Sequence, residues 1–149
     1  MKISNCIWLV QNPVVGNGCI SPKALGNAIR QQVERQDIKV LHPLQKGPED
    51  VKKLLEIDLP HELKRDPKAV FVINQLTVDS DLTNSCLMSF LSQSELIRPK
   101  GQNNPCRIIL YGLPQDELCQ SFTECIESGI VQGAANFNQL VDEVASLIT

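Results

Sequence analysis

Ala69-Val70-Phe71-Val72-Ile73 is an unbroken apolar run, and Arg107-Ile108-Ile109-Leu110-Tyr111 repeats its character further along the chain. A strand with one wet face interleaves polar residues. A short continuous run rich in β-branched side chains is what a strand covered on both faces of a parallel sheet requires. Working outward, Ile3 to Val10 reads as a first strand, Ile38 to Leu41 as a second, and Ile130 to Ala135 as a weaker fifth. Helical patterns separate them. Ser21-Pro22 offers an N-cap with proline at the first helical position, and Ala24, Leu25, Ala28, Ile29 and Val33 mark one apolar face. Gly47-Pro48-Glu49-Asp50 opens a second helix through Val51, Leu54 and Leu55, with Pro60 and Pro67 expected to interrupt the approach to the third strand. Asp81 to Ile97 carries Leu82, Cys86, Phe90 and Leu91 at helical spacing. Pro114-Gln115-Asp116-Glu117 starts another helix, and Phe137 through Ile148 is the last.

Strand–helix alternation of this kind implies an α/β three-layer sandwich with a central parallel sheet of four or five strands. The 149 residues fit one domain, spanning 1–149. A net charge of −3 argues against a general nucleic-acid binder. Lys46, Lys52, Lys53, Lys64, Arg65 and Lys68 cluster, and they read as the solvated face of a helix. No apolar run reaches the ~18 residues needed to span a bilayer, and the first ten residues lack the marks of a secretory signal. The expectation is a cytoplasmic chain without membrane contact. Cys6, Cys19, Cys86, Cys106, Cys119 and Cys125 fall in apolar segments without close-paired spacing, which reads as buried thiols. With no Cys-x-x-Cys and only His42 and His61, neither a metal nor a cofactor is expected. Both histidines read as solvent-facing or locally bonded. Arg98 to Pro105 reads as a surface loop.

Ligands of open α/β sheets bind beyond the carboxyl ends of the strands. The candidate segments are therefore Gln11 to Ser21, Asn74 to Asp81 and Gly112 to Glu117. The first reads Gln11-Asn12-Pro13-Val14-Val15-Gly16-Asn17-Gly18-Cys19-Ile20-Ser21-Pro22. Its glycines precede a helix N-terminus, whose backbone N–H groups and dipole favour an anion. Gly16, Asn17, Gly18, Cys19 and Ser21 are the anion-binding candidates.

Gly16-Asn17-x-Cys19-x-Ser21-Pro22-x-Ala24 resembles the phosphate-binding loop of the low-molecular-weight protein tyrosine phosphatases, Cys-x-Gly-Asn-x-Cys-Arg-Ser-Pro-x-Ala. The resemblance implies a phosphatase-like sheet, with a nucleophilic cysteine at Val14 and a phosphate-clamping arginine at Ile20. Neither side chain can do that work. Asp116 is the nearest candidate for that family's acid, without its Asp-Pro signature.

The alternation, and Gly133-Ala134-Ala135-Asn136-Phe137 leading into the last helix, also resemble a bacterial receiver domain. That resemblance implies metal-binding carboxylates where Gln11 and Asn12 stand and a phosphoacceptor where Asn74 stands. Neutral amides cannot hold a hard cation by charge. Asn12-Pro13-x-x-Gly16-x-Gly18 is similar to the opening loop of diacylglycerol-type lipid kinases, but Asn74-Gln75-Leu76-Thr77 replaces their glycine-rich second motif.

Asp79-Ser80-Asp81 and Asp116-Glu117 sit where helices begin and read as caps. No catalytic residue is assigned. Asp116, Glu117, Glu124 and Glu127, with Asp142 and Glu143, form a candidate acidic surface for a basic protein partner. The expectation is a non-catalytic regulatory or scaffolding domain that binds another protein in signalling. The alternatives are an anion or phosphoresidue site in the first loop, or an enzyme of another chemistry.

Overall fold

The computed structural model describes residues 6–11, 18–42, 48–65, 69–78, 108–112 and 131–148. Five parallel strands form its sheet: β1 (Cys6–Val10), β2 (Lys39–Leu41), β3 (Val70–Asn74), β4 (Ile108–Tyr111) and β5 (Val131–Ala134). Their spatial order is β2-β1-β3-β4-β5, the flavodoxin-like arrangement of a doubly wound fold. Register runs Val10 against Ile73, Asn74 against Tyr111 and Tyr111 against Ala134, so the carboxyl ends align along one edge.

The helices described are α1 (Pro22–Val33), α2 (Pro48–Lys53), α3 (Leu59–Arg65) and α4 (Phe137–Ile148). One face of the sheet contributes Ile7, Leu9, Val70, Val72, Ile109 and Ala134 to a buried cluster. Leu25 and Ile29 of α1, Leu140, Val141, Val144 and Leu147 of α4, and Ile20 and Ile38 just outside the helix and strand ends pack against it. The β2 to β3 connection crosses β1 in the opposite direction from the β1 to β2 connection. Right-handed crossovers therefore send α2 and α3 to the other face. On that face Trp8 and Phe71 stack with ring centroids 5.6 Å apart. All five residues of β3 are buried, as its apolar run requires.

Helix ends follow the side chains. Ser21 caps α1, its Oγ accepting the Ala24 N–H at 3.2 Å, with Pro22 beginning the helix. Ala24 is exposed, so the buried stripe of α1 is Leu25, Gly26 and Ile29, narrower than the spacing suggested. The helix ends at Glu34, which takes a left-handed conformation (φ 56°) while its N–H donates to Arg30 O. The Asn136 side chain accepts the Gln139 N–H at 2.8 Å, and Gln139 Oε1 accepts the Ala135 N–H at 2.8 Å, a reciprocal cap on α4.

One expectation needs correcting. Pro60 does not interrupt the chain but lies within α3, directly after a wide π-type turn at Leu54–Asp58. The Leu59 N–H reaches back to Leu54 O. Such a turn shifts the hydrogen-bond ladder next to a residue that has no N–H to give, so the helical path continues. Pro67, the helices expected at Asp81 to Ile97 and from Pro114, and the loop Arg98 to Pro105 lie outside the described residues.

Candidate functional site

In this sheet order the strand direction of travel reverses between β1 and β3, and ligands of doubly wound folds bind at that switch point. Continuing the register one step past Val10 and Ile73 brings Gln11 beside Asn74. Both are buried, at 2% and 0% exposure. A buried amide is costly unless its donors and acceptors are met. Here they are met by each other and by the chain. Gln11 Oε1 accepts Asn74 Nδ2 at 2.9 Å and the Ile20 N–H at 2.8 Å. Gln11 Nε2 donates to Ile20 O at 2.7 Å. Asn74 Nδ2 also donates to Gly18 O at 2.9 Å, and Asn74 Oδ1 accepts the Leu76 N–H at 3.1 Å. The Asn74 carbonyl in turn accepts the N–H groups of Thr77 and Val78 and the Thr77 hydroxyl.

The result is a clamp of two neutral amides that ties the segment before α1 to the turn after β3. It carries no net charge. Both donors of Asn74 and two acceptor positions of Gln11 are engaged within the chain. Among the described residues no group of three acidic, histidine or cysteine side chains is arranged to hold a metal.

The loop in front of α1 shows the same inward use of its groups. Ile20 is buried in the cluster under α1 and α4, so the position that the phosphatase loop gives to an arginine is a core position here. Its N–H and C=O both go to Gln11. The Ser21 hydroxyl serves as a helix cap. Gly18 takes φ 82° and is exposed. Cys19 is exposed and Cys6 half-buried, which corrects the expectation of buried thiols for these two. Position 19 lies in the loop before α1 and not in a strand, and of Gly18, Cys19 and Ile20 only Ile20 is buried. Gly16, Asn17 and Val14 lie outside the described residues, as do Asp79, Cys86, Cys106, Cys119 and Cys125.

No family model matches the sequence, and no curated protein matches it. Among solved structures the chain is similar to a response regulator receiver domain from Rhodospirillum rubrum. The identity is 11% and the TM-score 0.44, over 95% of this chain and 89% of that chain.

Of the acidic surface, Asp116, Glu117, Glu124 and Glu127 lie outside the described residues. Asp142 is exposed on α4 and accepts Gln32 Nε2 of α1 at 2.9 Å, and Glu143 is half-buried. Of the basic cluster, Lys52 and Lys53 are exposed, and Arg65 pairs with Glu62 at 2.7 Å, as a solvated helix face would. His61 is exposed as expected. His42 is half-buried at the end of β2, and its Nε2 has no hydrogen-bond partner among the described residues. Burial lowers its pKa from 6.5. That departs from the solvent-facing or locally bonded expectation. No helix among the described residues is long and apolar enough to cross a membrane.

Sequence reasoning placed Gln11 and Asn74 correctly at strand ends but treated them only as carboxylates that were missing. What it passed over was Leu76. This leucine is 49% exposed, yet its side chain lies against both Gly18 and Gly112. The signal available was two glycines in two different strand-end loops, both of which adopt positive φ.

Proposed function

We propose that the chain is a non-catalytic regulatory or scaffolding domain that acts by binding another protein. The observation that carries this reading is the Gln11–Asn74 clamp: at the switch point, two buried neutral amides satisfy one another and the adjoining backbone. A nucleophile, an acid–base pair or a cation would need a charged or exposed group there. The pairing of these two amides favours a role through the outer surface over chemistry at the switch point. The acidic set Asp116, Glu117, Glu124 and Glu127, joined by Asp142 and Glu143, is the surface proposed, and its partner is a basic protein face. The domain works in the cytoplasm, in a signalling role and without a cofactor.

The test is quantitative affinity capture from cells with the unmodified chain and with a charge-reversed Asp116→Lys, Glu117→Lys, Glu124→Lys, Glu127→Lys chain. The expected outcome is one or more basic proteins held by the first and lost with the second, reproduced with purified partner and weakened by salt. Equal retention by both folded chains would sink the acidic-surface reading. The alternative, an anion or phosphoresidue held at Gly16 to Ser21, has the helix N-terminus of α1 in its favour. Against it, the Ile20 N–H is already given to Gln11.

A further inference from the structure

We propose that the groove between α1 and α4 receives an arginine side chain from a basic protein partner. Helical spacing builds this groove. On α4, Phe137 and Val141 stand four residues apart and so share one face, as Ala28 and Gln32 do on α1. Ala28 is the small member of the contact, and a methyl group there leaves room. The groove has a volume of about 520 Å³, and Gln31, Asn138 and Asp142 complete its lining. That size falls within the roughly 300–1,000 Å³ of ordinary ligand clefts.

The chemistry of the lining selects the occupant. Val141 is buried and Ala28 and Phe137 are half-buried, so the floor is apolar, whereas Gln31, Gln32, Asn138 and Asp142 are exposed along the rim. Among the described residues that line the groove, Asp142 alone is charged. Gln32 Nε2 donates to Asp142 Oδ1 at 2.9 Å, which holds the carboxylate at the rim. No lysine or arginine among the described residues pairs with it. Arg35, three residues after Gln32, is spent on Asp37 and on Ile148 O. A side chain that complements this lining is apolar along its stem and cationic at its tip. Arginine meets it better than lysine. Its planar, weakly hydrated fork has five N–H donors, enough for the carboxylate and for the side-chain oxygens of Gln31 and Asn138. The Phe137 ring offers the cation an aromatic surface. The inference rests on the reading of Asp142 as part of a partner-binding acidic surface, and it adds the residue that the partner presents.

The test is amide-resolved NMR of the whole chain, titrated with the blocked pentapeptide Ala-Ala-Arg-Ala-Ala. A second titration uses the same peptide with citrulline, the neutral isostere, in place of arginine. Saturable shifts are expected at Ala28, Gln32, Asn138 and Asp142, and at the side-chain amides of Gln31, Gln32 and Asn138. Citrulline should bind more weakly by roughly threefold to tenfold. Asp142→Asn keeps an oxygen for Gln32 Nε2 and should weaken the arginine peptide by a similar factor. Glu143→Gln removes the same charge from a residue outside the lining and should change binding little. No saturable shift with the arginine peptide, equal binding of the two peptides, or equal weakening by the two substitutions would overturn the proposal. These results separate from the capture experiment. A basic partner held through the Asp116 to Glu127 set, with no peptide bound here, sinks the groove alone. Peptide bound here with no partner captured leaves the groove standing and removes the wider reading.

Discussion

Asn74 concentrates more of the site than any other side chain: two donors spent on Gln11 Oε1 and Gly18 O, and one acceptor spent on the Leu76 N–H. Replacing it by alanine removes one buried hydrogen bond, to Gln11 Oε1, and two part-buried ones, to Gly18 O and from the Leu76 N–H, at a combined cost of about 1–3 kcal/mol. Asn74→Ala should therefore rank among the more destabilising single changes, measured by urea unfolding. Asn74→Asp is the sharper variant, because it keeps the shape and turns the donor side into a carboxylate facing two oxygens. The folded state then favours the protonated acid, raising its pKa above the unfolded value, so stability is present below about pH 4 and is lost as pH rises. We expect Asn74→Asp to fall further behind the parent at neutral pH than in mild acid. A constant gap across pH would contradict the hydrogen-bond geometry. His42 works in the opposite sense. Burial lowers its pKa from 6.5, so the folded state binds protons less readily than the unfolded chain. Its contribution is complete above 6.5 and is lost as pH falls below that value. Unfolding midpoints followed from about pH 7.5 down to about pH 5.5 should decline, and His42→Gln should flatten that decline.

At the scale of elements, α1 shows how local chemistry sets boundaries and where it is left imperfect. Ser21 and Pro22 start it, but its last turn closes on Glu34, a side chain in left-handed backbone at φ 56°. Glycine is the natural occupant of such a position. Glu34→Gly should raise stability by roughly 0.5–1 kcal/mol, read from urea midpoints, and a loss would mean that the glutamate makes a compensating contact. The Ser21-Pro22 start was legible because the cap and the proline act within one turn. The strand set was legible for a related reason: the run Val70 to Ile73 is apolar on both faces because helices cover both. The continuity of the chain through Pro60 was not legible. A π-type turn compensates for a missing donor through backbone geometry, which leaves no mark in residue type.

The whole molecule presents a flavodoxin-like sheet in which the carboxyl ends of β1 and β3 are joined by the side-chain amides of Gln11 and Asn74. Half of that statement was in the sequence, since Gln11 and Asn74 stand at strand ends where charge would be needed. The other half came only from register and from the loops folding back, because Gln11 meets Ile20 and Asn74 meets Gly18 across long stretches of chain. Leu76 was passed over for the same reason: its partners are glycines in two other loops, and nothing near it in sequence announces them. We propose that this end of β1 and β3 holds neither a small anion nor a cation. The most direct test is an amide-resolved NMR titration with inorganic phosphate, vanadate and magnesium, following Gly18, Cys19 and Ile20 with the side-chain amides of Gln11 and Asn74. We predict no saturable shift in these signals at millimolar ligand; saturable shifts confined to them would mean that this edge of the sheet binds an ion.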